Sequence, residues 1–470
     1  MGALEQSGFS DAQMKRGVLI FGVALAGVCG RNASAGEVSF QRDVWPIFRR
    51  HCVGCHALSK DKGGLRMDEA AALIKGGKTG PLFVPGNPGE SLLISQVTGD
   101  SPEMPQKEPP LSQFKVDVLR EWIAQGARID SVPAPEIPPV KVPAEYQSAP
   151  AVSAVALSAD GKRAAAACRS EVILFPLEEG AALKRVETGM DLVNHLAMSP
   201  DGTLLAVSGG FPQQWGGVIF LDAKTGEEKG RRRVAGDTLF RGRFSPDGSE
   251  VALGGPGGVI YLIPVDAGKK VRSMEIHSDW VMDVTYTPDG KRLLSGGRDK
   301  TTKVSSVEEL ALLRSVDESA EIIHAVATDG ETGVSGGNAK SLAGYDYKLA
   351  LAGVELAGAG NGAAPVNKKA QYLKAFEAQP EAVLALGASG DRKLLAVGTR
   401  ASEIRVYRMS DRGRHAVLPK AEAPVLTLAL DAAGELLLSG SKTGKVQLWD
   451  VKAGKLVRTI DPVPVAGAHR

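Results

Sequence analysis

The sequence has little cysteine, no excess of either charge and one long apolar run. Four cysteines in 470 residues exclude a small domain built on disulfides. Lysine and arginine number 56 against 54 acidic residues, so net charge gives no reason to expect nucleic acid or an anionic membrane as a partner. A chain of this length can build its cores from apolar side chains alone. The chemistry must therefore be sought in short local motifs.

The apolar run lies near the N-terminus, from Gly17 to Gly30, directly after Lys15 and Arg16. Its 14 residues are fewer than the roughly 20 that a membrane-spanning helix needs. The segment Ala33-Ser34-Ala35 follows and has the form of a signal-peptidase site. We therefore predict a secretory signal peptide over residues 1–35 and a periplasmic or otherwise exported mature protein. An uncleaved signal that anchors the protein to the membrane is the alternative.

The motif C-x-x-C-H at residues 52–56 carries the most specific chemistry. Two thiols at this spacing can form thioethers to the haem vinyl groups while the adjacent imidazole ligates the iron. A closed zinc site needs four ligands, and no second C-x-x-C or histidine pair occurs. A redox disulfide requires a βαβ context, which residues 37–130 lack. We predict one covalent haem c at Cys52 and Cys55 with His56 on the iron; chance occurrence of the motif stays an alternative.

Two helices are predicted to bracket this motif. The first leads from Phe40 to Cys52, and the second covers residues 111–127 between an N-cap at Ser112 and a stop at Gly126. The first helix has an apolar stripe of Val44, Ile47 and Phe48, and the second has one of Phe114, Val118, Leu119, Trp122 and Ile123. Two such helices predict a small helical domain that encloses a haem.

A sixth iron ligand is expected from a methionine, because thioether ligation raises the reduction potential and suits electron transfer. Met67 and Met104 are the candidates between the two helices. Met104 precedes Pro105, which stiffens its loop, so we predict Met104 as the distal ligand. Met67, an open iron and a histidine ligand are the alternatives.

Residues 40–130 resemble the planctomycete-type cytochrome c domain. The segments that carry the resemblance are DVWPIFRRHCVGCH, GGLRMD, GGKTGPLFVPGNPGESLL, MPQKEPPLS and LREWIAQGA, in this order. The resemblance implies an all-α domain, covalent haem at Cys52 and Cys55, and His56 and Met104 as the proximal and distal ligands. One departure is Gln106, where that family more often has a second proline.

The composition changes after this domain, which we place at residues 36–130. The next segment, SVPAPEIPPVKVPAEYQSAP at residues 131–150, contains six prolines. Such a composition favours an extended spacer, so we predict an interdomain linker. An arm packed along one domain is the alternative.

A turn motif of the type S-P-D-G recurs along residues 151–463, which precede a tail at 464–470. Its glycines are Gly161, Gly202, Gly248, Gly290, Gly330, Gly390 and Gly434. They are 41, 46, 42, 40, 60 and 44 residues apart, and a period near 42 is typical of four-stranded propeller blades. We predict seven blades, with an insert within residues 345–375 of the fifth.

The repeats resemble those of WD40 propellers. The last unit, LLLSGSKTGKVQLWDVKAGKLV, contains Trp449-Asp450 at the end of its third strand, where the fourth unit has Ser305-Ser306. Most units lack the Trp-Asp pair, so we expect the His/Ser/Asp/Trp network of this family to be complete in none of the first six blades. The segment KLVRTI is predicted as the outer strand of the last blade, unless linker residues take that place.

Two enzymatic alternatives concern the propeller. Nitrite reductases also join a cytochrome c to a propeller, where a second haem needs an axial histidine; the candidates here are His195, His277, His324 and His415. We interpret His277 as structural, because it directly precedes a blade. Quinoprotein dehydrogenases have blade turns similar to LDAKTGEEK at residues 221–229, which is also a common strand connection. Cys168 is interpreted as a buried apolar residue.

These features predict an exported mono-haem cytochrome that transfers electrons and uses its propeller to dock a redox partner protein and other proteins. We expect no nucleic acid partner, no membrane span in the mature chain, and a carrier or binding protein rather than a catalyst. An interaction or sensory protein, whose haem responds to a ligand or to redox state, is the alternative function.

Overall fold

The computed structural model describes residues 37–129, 140–346 and 376–467, apart from residues 54, 58–59, 68–69, 107–108, 317–318 and 320. The predicted signal peptide, the first nine residues of the predicted linker and nearly all of the predicted insert lie outside the described residues. Within the described ranges, no helix has the length and apolarity needed to cross a membrane.

The N-terminal domain is small and mainly helical, as predicted. A π-helical turn, Phe40–Val44, continues into α1 (Trp45–His51), and a short hairpin of β1 (His56–Ala57) and β2 (Lys60–Asp61) follows. The remaining helices are α2 (Ala70–Lys75), α3 (Leu92–Val97) and α4 (Gln113–Ala124).

Aromatic packing joins the two ends of this domain. The Trp122 ring of α4 lies 5.4 Å from the Phe40 ring and 6.1 Å from the Phe48 ring, the latter edge to face. Val44 and Ile47 are buried in the same core, which confirms the stripe predicted for the first helix. Pairs of this geometry add stability beyond the apolar area that they bury. The helix before the C-x-x-C-H motif is thereby fixed against α4.

The stripe predicted for the second helix was wrong at Phe114, whose exposed fraction is 75 %. Val116 is buried instead, with Leu119 and Ile123 three and seven residues further along, so these three share one face at 3.6 residues per turn. Phe114 precedes Val116 by two residues and therefore points to another side of the helix. The helix ends as predicted, because Gly126 adopts a positive φ of 98°.

Seven antiparallel sheets follow, as predicted for seven blades. Blades 1 and 2 contain β3 (Val152–Leu157), β4 (Arg163–Cys168), β5 (Glu171–Pro176), β6 (Lys184–Glu187) and β7 (Leu192–Met198), β8 (Leu204–Phe211), β9 (Trp215–Asp222), β10 (Glu228–Ala235). Blades 3 and 4 contain β11 (Gly242–Phe244), β12 (Glu250–Gly254), β13 (Val259–Pro264), β14 (Arg272–Glu275) and β15 (Val281–Tyr286), β16 (Arg292–Gly297), β17 (Thr302–Ser306), β18 (Ala311–Val316). Blades 5 to 7 contain β19 (Ile323–Thr328), β20 (Thr332–Gly337), β21 (Ala343–Asp346), then β22 (Val383–Ala388), β23 (Leu394–Thr399), β24 (Ile404–Arg408), β25 (Arg414–Val417), then β26 (Val425–Leu430), β27 (Leu436–Ser441), β28 (Val446–Asp450), β29 (Lys455–Ile460).

The first strands of the blades form a closed ring around a central channel. Each contacts the first strands of the two neighbouring blades, and β26 of blade 7 contacts β3 of blade 1. The segment KLVRTI forms β29, the outer strand of the last blade, as predicted. The fifth blade has three strands among the described residues, and the rest of the predicted insert is not described.

The turns between the first two strands share one hydrogen-bond pattern in blades 1 to 4 and 6, where a serine or threonine hydroxyl donates to the aspartate two residues further along. Blades 5 and 7 make different bonds, because Thr328 donates to the Thr332 carbonyl and Asp431 accepts the Leu436 amide. In blade 2, the Ser199 hydroxyl donates to the Asp201 carboxylate at 2.6 Å, and Gly202 takes a positive φ of 70°. In blade 6, the equivalent bond joins Ser389 to Asp391 at 2.6 Å, and the positive φ of 58° falls on Arg392. Gly390 therefore occupies the proline position of the turn, so its assignment as the turn glycine was wrong.

Residues 140–149 of the predicted linker lie against the propeller, which agrees with the alternative of a packed arm. The Arg185 guanidinium donates to both carboxylate oxygens of Glu171, at 2.7 and 2.9 Å, and to the carbonyls of Pro143 and Ala144. The Tyr146 hydroxyl donates to the same carboxylate at 2.7 Å. This contact attaches the arm to blade 1.

The same arm meets the end of the chain. The Tyr146 amide donates to the Pro464 carbonyl at 2.9 Å, and the Ala466 amide donates to the Tyr146 carbonyl at 2.8 Å. Tyr146 and Val465 thus form a parallel bridge. The segment that precedes blade 1 is thus hydrogen-bonded to the segment that follows blade 7, and these are the two blades that close the ring.

Candidate functional site

The end of α1 determines where the C-x-x-C-H motif lies. The Cys52 amide donates to the Phe48 carbonyl at 2.8 Å and so completes the last turn of the helix. The amides of Cys55 and His56 then both donate to the Cys52 carbonyl at 3.0 Å. Neither cysteine is in a disulfide, and both are partly buried. This tight turn brings two thiols and one imidazole to the same cavity.

A backbone contact orients the imidazole of His56. Its Nδ1 lies 3.0 Å from the Lys62 carbonyl oxygen. A carbonyl can only accept a hydrogen bond, so the proton belongs on Nδ1, and Nε2 keeps the lone pair that a metal requires. Burial lowers the pKa of His56, which also favours the neutral ring. The ring thus has the tautomer and the second hydrogen bond that are usual for a metal-ligating histidine.

The cavity has a volume of about 430 Å³, within the range of small-molecule and cofactor sites. The walls are largely apolar and include Leu65, Leu82, Leu93, Val97 and Leu111. Walls of this kind keep water from a bound group and lower the dielectric constant around it. The cavity is therefore a largely apolar pocket, with Cys52, Cys55 and His56 where α1 ends and other polar side chains, among them Gln96 and Gln106, elsewhere on its wall.

Both candidate methionines line this cavity. Met67 is 2 % exposed, belongs to the domain core, and donates its amide to the His56 carbonyl at 2.7 Å. Met104 is partly exposed, and its amide donates to the Gln96 carbonyl of α3 at 2.9 Å. A cis peptide bond joins Met104 to Pro105, and Gln106 also lines the cavity. The choice of Met104 as the distal ligand stays a prediction.

The chemistry of the donors fits a covalently held haem. Two neighbouring thiols, one imidazole with a free Nε2, thioether sulfurs and apolar walls converge on one cavity. Cys52, Cys55 and His56 line one cavity, but across the described ranges no three His, Cys, Asp or Glu side chains lie close enough together to hold one metal ion, as a zinc site would require. Cys52, Cys55 and His56 are the residues that would hold the haem.

His277 has the structural role that was predicted. Its Nδ1 lies 3.0 Å from both carboxylate oxygens of Asp299, and its Nε2 lies 2.7 Å from the Ser295 hydroxyl. Blade 4 thus has three members of the WD40 network, with Ser305 in place of tryptophan. In blade 7, the Trp449 indole donates to the Ser439 hydroxyl at 2.8 Å.

The other three propeller histidines lie in different blades. His195 lines the central channel from β7, Nε2 of His324 lies 2.8 Å from the Asn338 side-chain oxygen, and His415 is exposed on β25. Within the described part of the propeller they form no shared site, so the second-haem alternative gains no support.

The other two propeller features are structural. In residues 221–229, the Asp222 carboxylate accepts the amides of Lys224 and Thr225 in an ordinary turn between β9 and β10. Cys168 is fully buried, and burial raises the pKa of its thiol to about 12, so it is an unreactive core residue.

Sequence reasoning missed a charged cluster in the central channel. Arg241 precedes β11, Arg243 lies on β11, and Asp283 lies on the neighbouring first strand, β15. The Asp283 carboxylate is 3.7 Å from the Arg243 guanidinium. The sequence did contain a sign of this cluster, because charged residues lie on the first strands of blades 3 and 4. In the other blades, the side chains that face the channel from the first strand are mostly small or apolar.

Comparison with known families agrees with both halves of the structure. Residues 52–108 match the family "Planctomycete cytochrome C". Residues 268–304 match "WD domain, G-beta repeat", and residues 389–465 match "Anaphase-promoting complex subunit 4 WD40 domain". The chain joins a planctomycete-type cytochrome c domain to a WD40-repeat propeller. Propellers of this type are platforms for protein interaction.

Curated relatives match parts of the chain. "WD repeat-containing protein SL1-17" of Schistosoma mansoni is 27 % identical over 30 % of this chain and 45 % of its own length. "WD repeat-containing protein 1" of Xenopus tropicalis is 38 % identical over 14 % of this chain and 11 % of its own. "Pre-mRNA-processing factor 19" of Caenorhabditis elegans is 27 % identical over 36 % of this chain and 32 % of its own. The chain thus spans less than half the length of each of these relatives.

Proposed function

We propose that the protein is an exported mono-haem c-type cytochrome that transfers electrons, with its propeller as the surface that docks the redox partner. The observation that carries this proposal is the contact between His56 Nδ1 and the Lys62 carbonyl at 3.0 Å, beside two thiols that form no disulfide. It leaves Nε2 available as an iron ligand in an apolar cavity.

The residues of the cavity have distinct proposed roles. The thiols of Cys52 and Cys55 would hold the haem covalently, each through one thioether bond. His56 Nε2 and the Met104 sulfur would ligate its iron. When bound, haem supplies reversible one-electron exchange between ferric and ferrous iron. The leucine-rich walls exclude water and, with the methionine sulfur, favour the ferrous form.

The second candidate is a sensory protein whose haem responds to a ligand. One observation favours it: the Met104 side chain is partly exposed, whereas Met67 is buried. A ligand on an exposed loop is more easily displaced than one in the core. A small molecule that replaced Met104 would signal through the loop that Gln96 holds.

Optical spectroscopy distinguishes the two candidates. The mature protein, produced in a host that attaches haem c, is titrated with mediators and then exposed to carbon monoxide in the ferrous state. Electron transfer predicts a reversible one-electron wave and a spectrum that carbon monoxide leaves unchanged. A rapid shift of the ferrous spectrum on addition of carbon monoxide would support the sensory function instead.

Export is a separate proposal, which rests on the sequence of residues 1–35. Fractionation of the producing cells tests it: we expect the haem-containing protein in the periplasm, with an N-terminus near Gly36. Full-length protein in the membrane fraction would favour the uncleaved anchor.

A further inference from the structure

The central channel of the propeller contains a cavity of about 680 Å³. All seven blades line it through their first strands and the turns that follow. Small or apolar side chains form much of the wall, among them Ala156, Ala197, Val326 and Ala388. A cavity of this volume is large enough for a small organic molecule. The charged groups in the channel determine which kind of molecule fits.

Positive charge predominates in the interior of the channel. Arg241 extends across it and donates to the carbonyls of Leu384, at 3.0 Å, and Leu426, at 2.9 Å, on blades 6 and 7. Arg243 lines the cavity itself. Asp283 is the one buried carboxylate beside these arginines among the described residues. It is 1 % exposed and accepts the amides of Val284 and Val326. Two guanidinium groups therefore face one carboxylate.

His195 provides a second, independent observation. Arg243 Nη1 lies 2.8 Å from His195 Nε2, and because arginine can only donate, Nε2 must be the acceptor. The ring proton then belongs on Nδ1. His195 is 6 % exposed and lines the cavity, and its Nδ1 has no hydrogen-bond partner among the residues that the structure describes. A buried N–H without an acceptor is rare in folded proteins and indicates a missing partner.

Burial and the neighbouring arginines keep this histidine neutral. Burial, followed by the charges of Arg243 and Arg241, lowers the pKa of His195 well below its usual value. The ring therefore offers a fixed N–H donor instead of a charge that changes with pH. A negatively charged oxygen can accept from Nδ1–H and offset the excess charge of the arginines.

We infer that the channel binds a small oxyanion, a carboxylate or phosphate, through Arg243 and the Nδ1–H of His195. Asp329 and Asp391 line the same cavity from the turns at one end of the channel, where their carboxylates accept backbone amides. Arg392 lines the cavity at the same turns and donates to the carbonyls of Tyr286 and Thr328, so it offsets part of this negative charge. We assign the site to Arg243 because the Nδ1–H of His195 lies beside it. This inference is independent of the haem domain.

Isothermal titration calorimetry of the full-length mature protein tests the site, with sodium phosphate, sodium succinate and sodium chloride at constant ionic strength. We expect saturable binding of phosphate or succinate and none of chloride, and the stronger of the two identifies the oxyanion class. Arg243→Gln and His195→Phe should each weaken binding at least tenfold. Arg231→Gln, an arginine on the outer strand β10, is the control and should bind as the wild type does.

A paired substitution separates binding from folding. Arg243→Gln leaves Asp283 without its partner, so Arg243→Gln/Asp283→Asn preserves the charge balance of the channel. The double variant should keep the wild-type circular dichroism spectrum and still bind at least tenfold more weakly. Wild-type affinity in a folded double variant, or no saturable binding of either oxyanion by the wild type, would overturn the inference.

Discussion

His56 Nδ1 lies 3.0 Å from the carbonyl oxygen of Lys62, six residues further along the chain. The contact is possible because the β1–β2 hairpin turns the chain back immediately after the motif, pairing His56 with Asp61. One backbone carbonyl thereby selects the tautomer in which Nε2 is free to bind iron. The C-x-x-C-H motif supplies the donors, and the hairpin orients the imidazole.

The distal ligand is tested by replacing each methionine of the cavity. Met104→Ala should remove the weak long-wavelength absorption band of a sulfur–iron bond and lower the reduction potential, because a thioether ligand stabilises ferrous iron. Met67→Ala should retain the band and instead destabilise the domain by about 3 kcal/mol, since it leaves a void in the core. Ferric spectra, redox titration and thermal unfolding of both variants measure these effects. Loss of the band in Met67→Ala alone would show that the two roles were assigned the wrong way round.

The arm that joins blade 1 is tested at Arg185. The Glu171 carboxylate is fully buried, so Arg185→Ala leaves a buried charge with only the Tyr146 hydroxyl as a side-chain donor. We expect a loss of about 3 kcal/mol in the free energy of unfolding. Arg231→Ala, which breaks the exposed pair with Glu228, is the control and should cost less than about 1 kcal/mol. Urea denaturation measures the free energy of unfolding of both variants. An equal loss of free energy in Arg185→Ala and Arg231→Ala would argue against a stabilising arm.

The His277–Asp299 pair predicts how the stability of the propeller depends on pH. Burial disfavours the Asp299 carboxylate, but the hydrogen bond and charge of His277, with the Ser278 amide and Thr301 hydroxyl, outweigh it and lower its pKa. A lowered folded-state pKa stabilises the protein above the unfolded value near 3.9 and loses that effect as pH falls.

Asp299→Asn tests this dependence. The variant should be about 2 kcal/mol less stable than the wild type at neutral pH, because it loses a charged acceptor of several hydrogen bonds. The difference should shrink steadily below about pH 4, because the unfolded wild type then binds a proton at Asp299 that the folded protein does not bind. Thermal unfolding between pH 3 and pH 7 measures it. A difference that stayed constant over this range would mean that the ionised carboxylate contributes nothing.

Local patterns predicted the architecture well. In blades 1 to 4 and 6, a serine or threonine donates to the aspartate two residues further along, and the next residue has a positive φ. Gly390 was assigned as the turn residue because it is a glycine, whereas the hydrogen bond from Ser389 to Asp391 sets the register and places Arg392 at positive φ. Phe114 was misassigned because an apolar side chain near the start of α4 was placed on the core face, whereas Val116, which lies on one face with Leu119 and Ile123, is the buried residue there.

Long-range contacts were beyond sequence reasoning. Tyr146 and Val465 form a parallel bridge although more than three hundred residues separate them, and neither has a motif that predicts the partner. The contacts of Arg241 could not be predicted either. Its acceptors on blades 6 and 7 are backbone carbonyls, which every residue type has. The residues proposed to hold the haem could be predicted from the sequence, because their chemistry needs particular side chains at a fixed spacing.

The most direct test of the account is whether haem stays attached to the protein after denaturation. The mature wild type, Cys52→Ala/Cys55→Ala and the control Cys168→Ala are produced with haem-attachment machinery, unfolded in acid and acetone, and analysed by intact mass and pyridine haemochrome spectra. We predict one covalent haem in the wild type and in Cys168→Ala, and none in the double variant. Haem that is extracted from the wild type, or that stays on the double variant, would contradict the account.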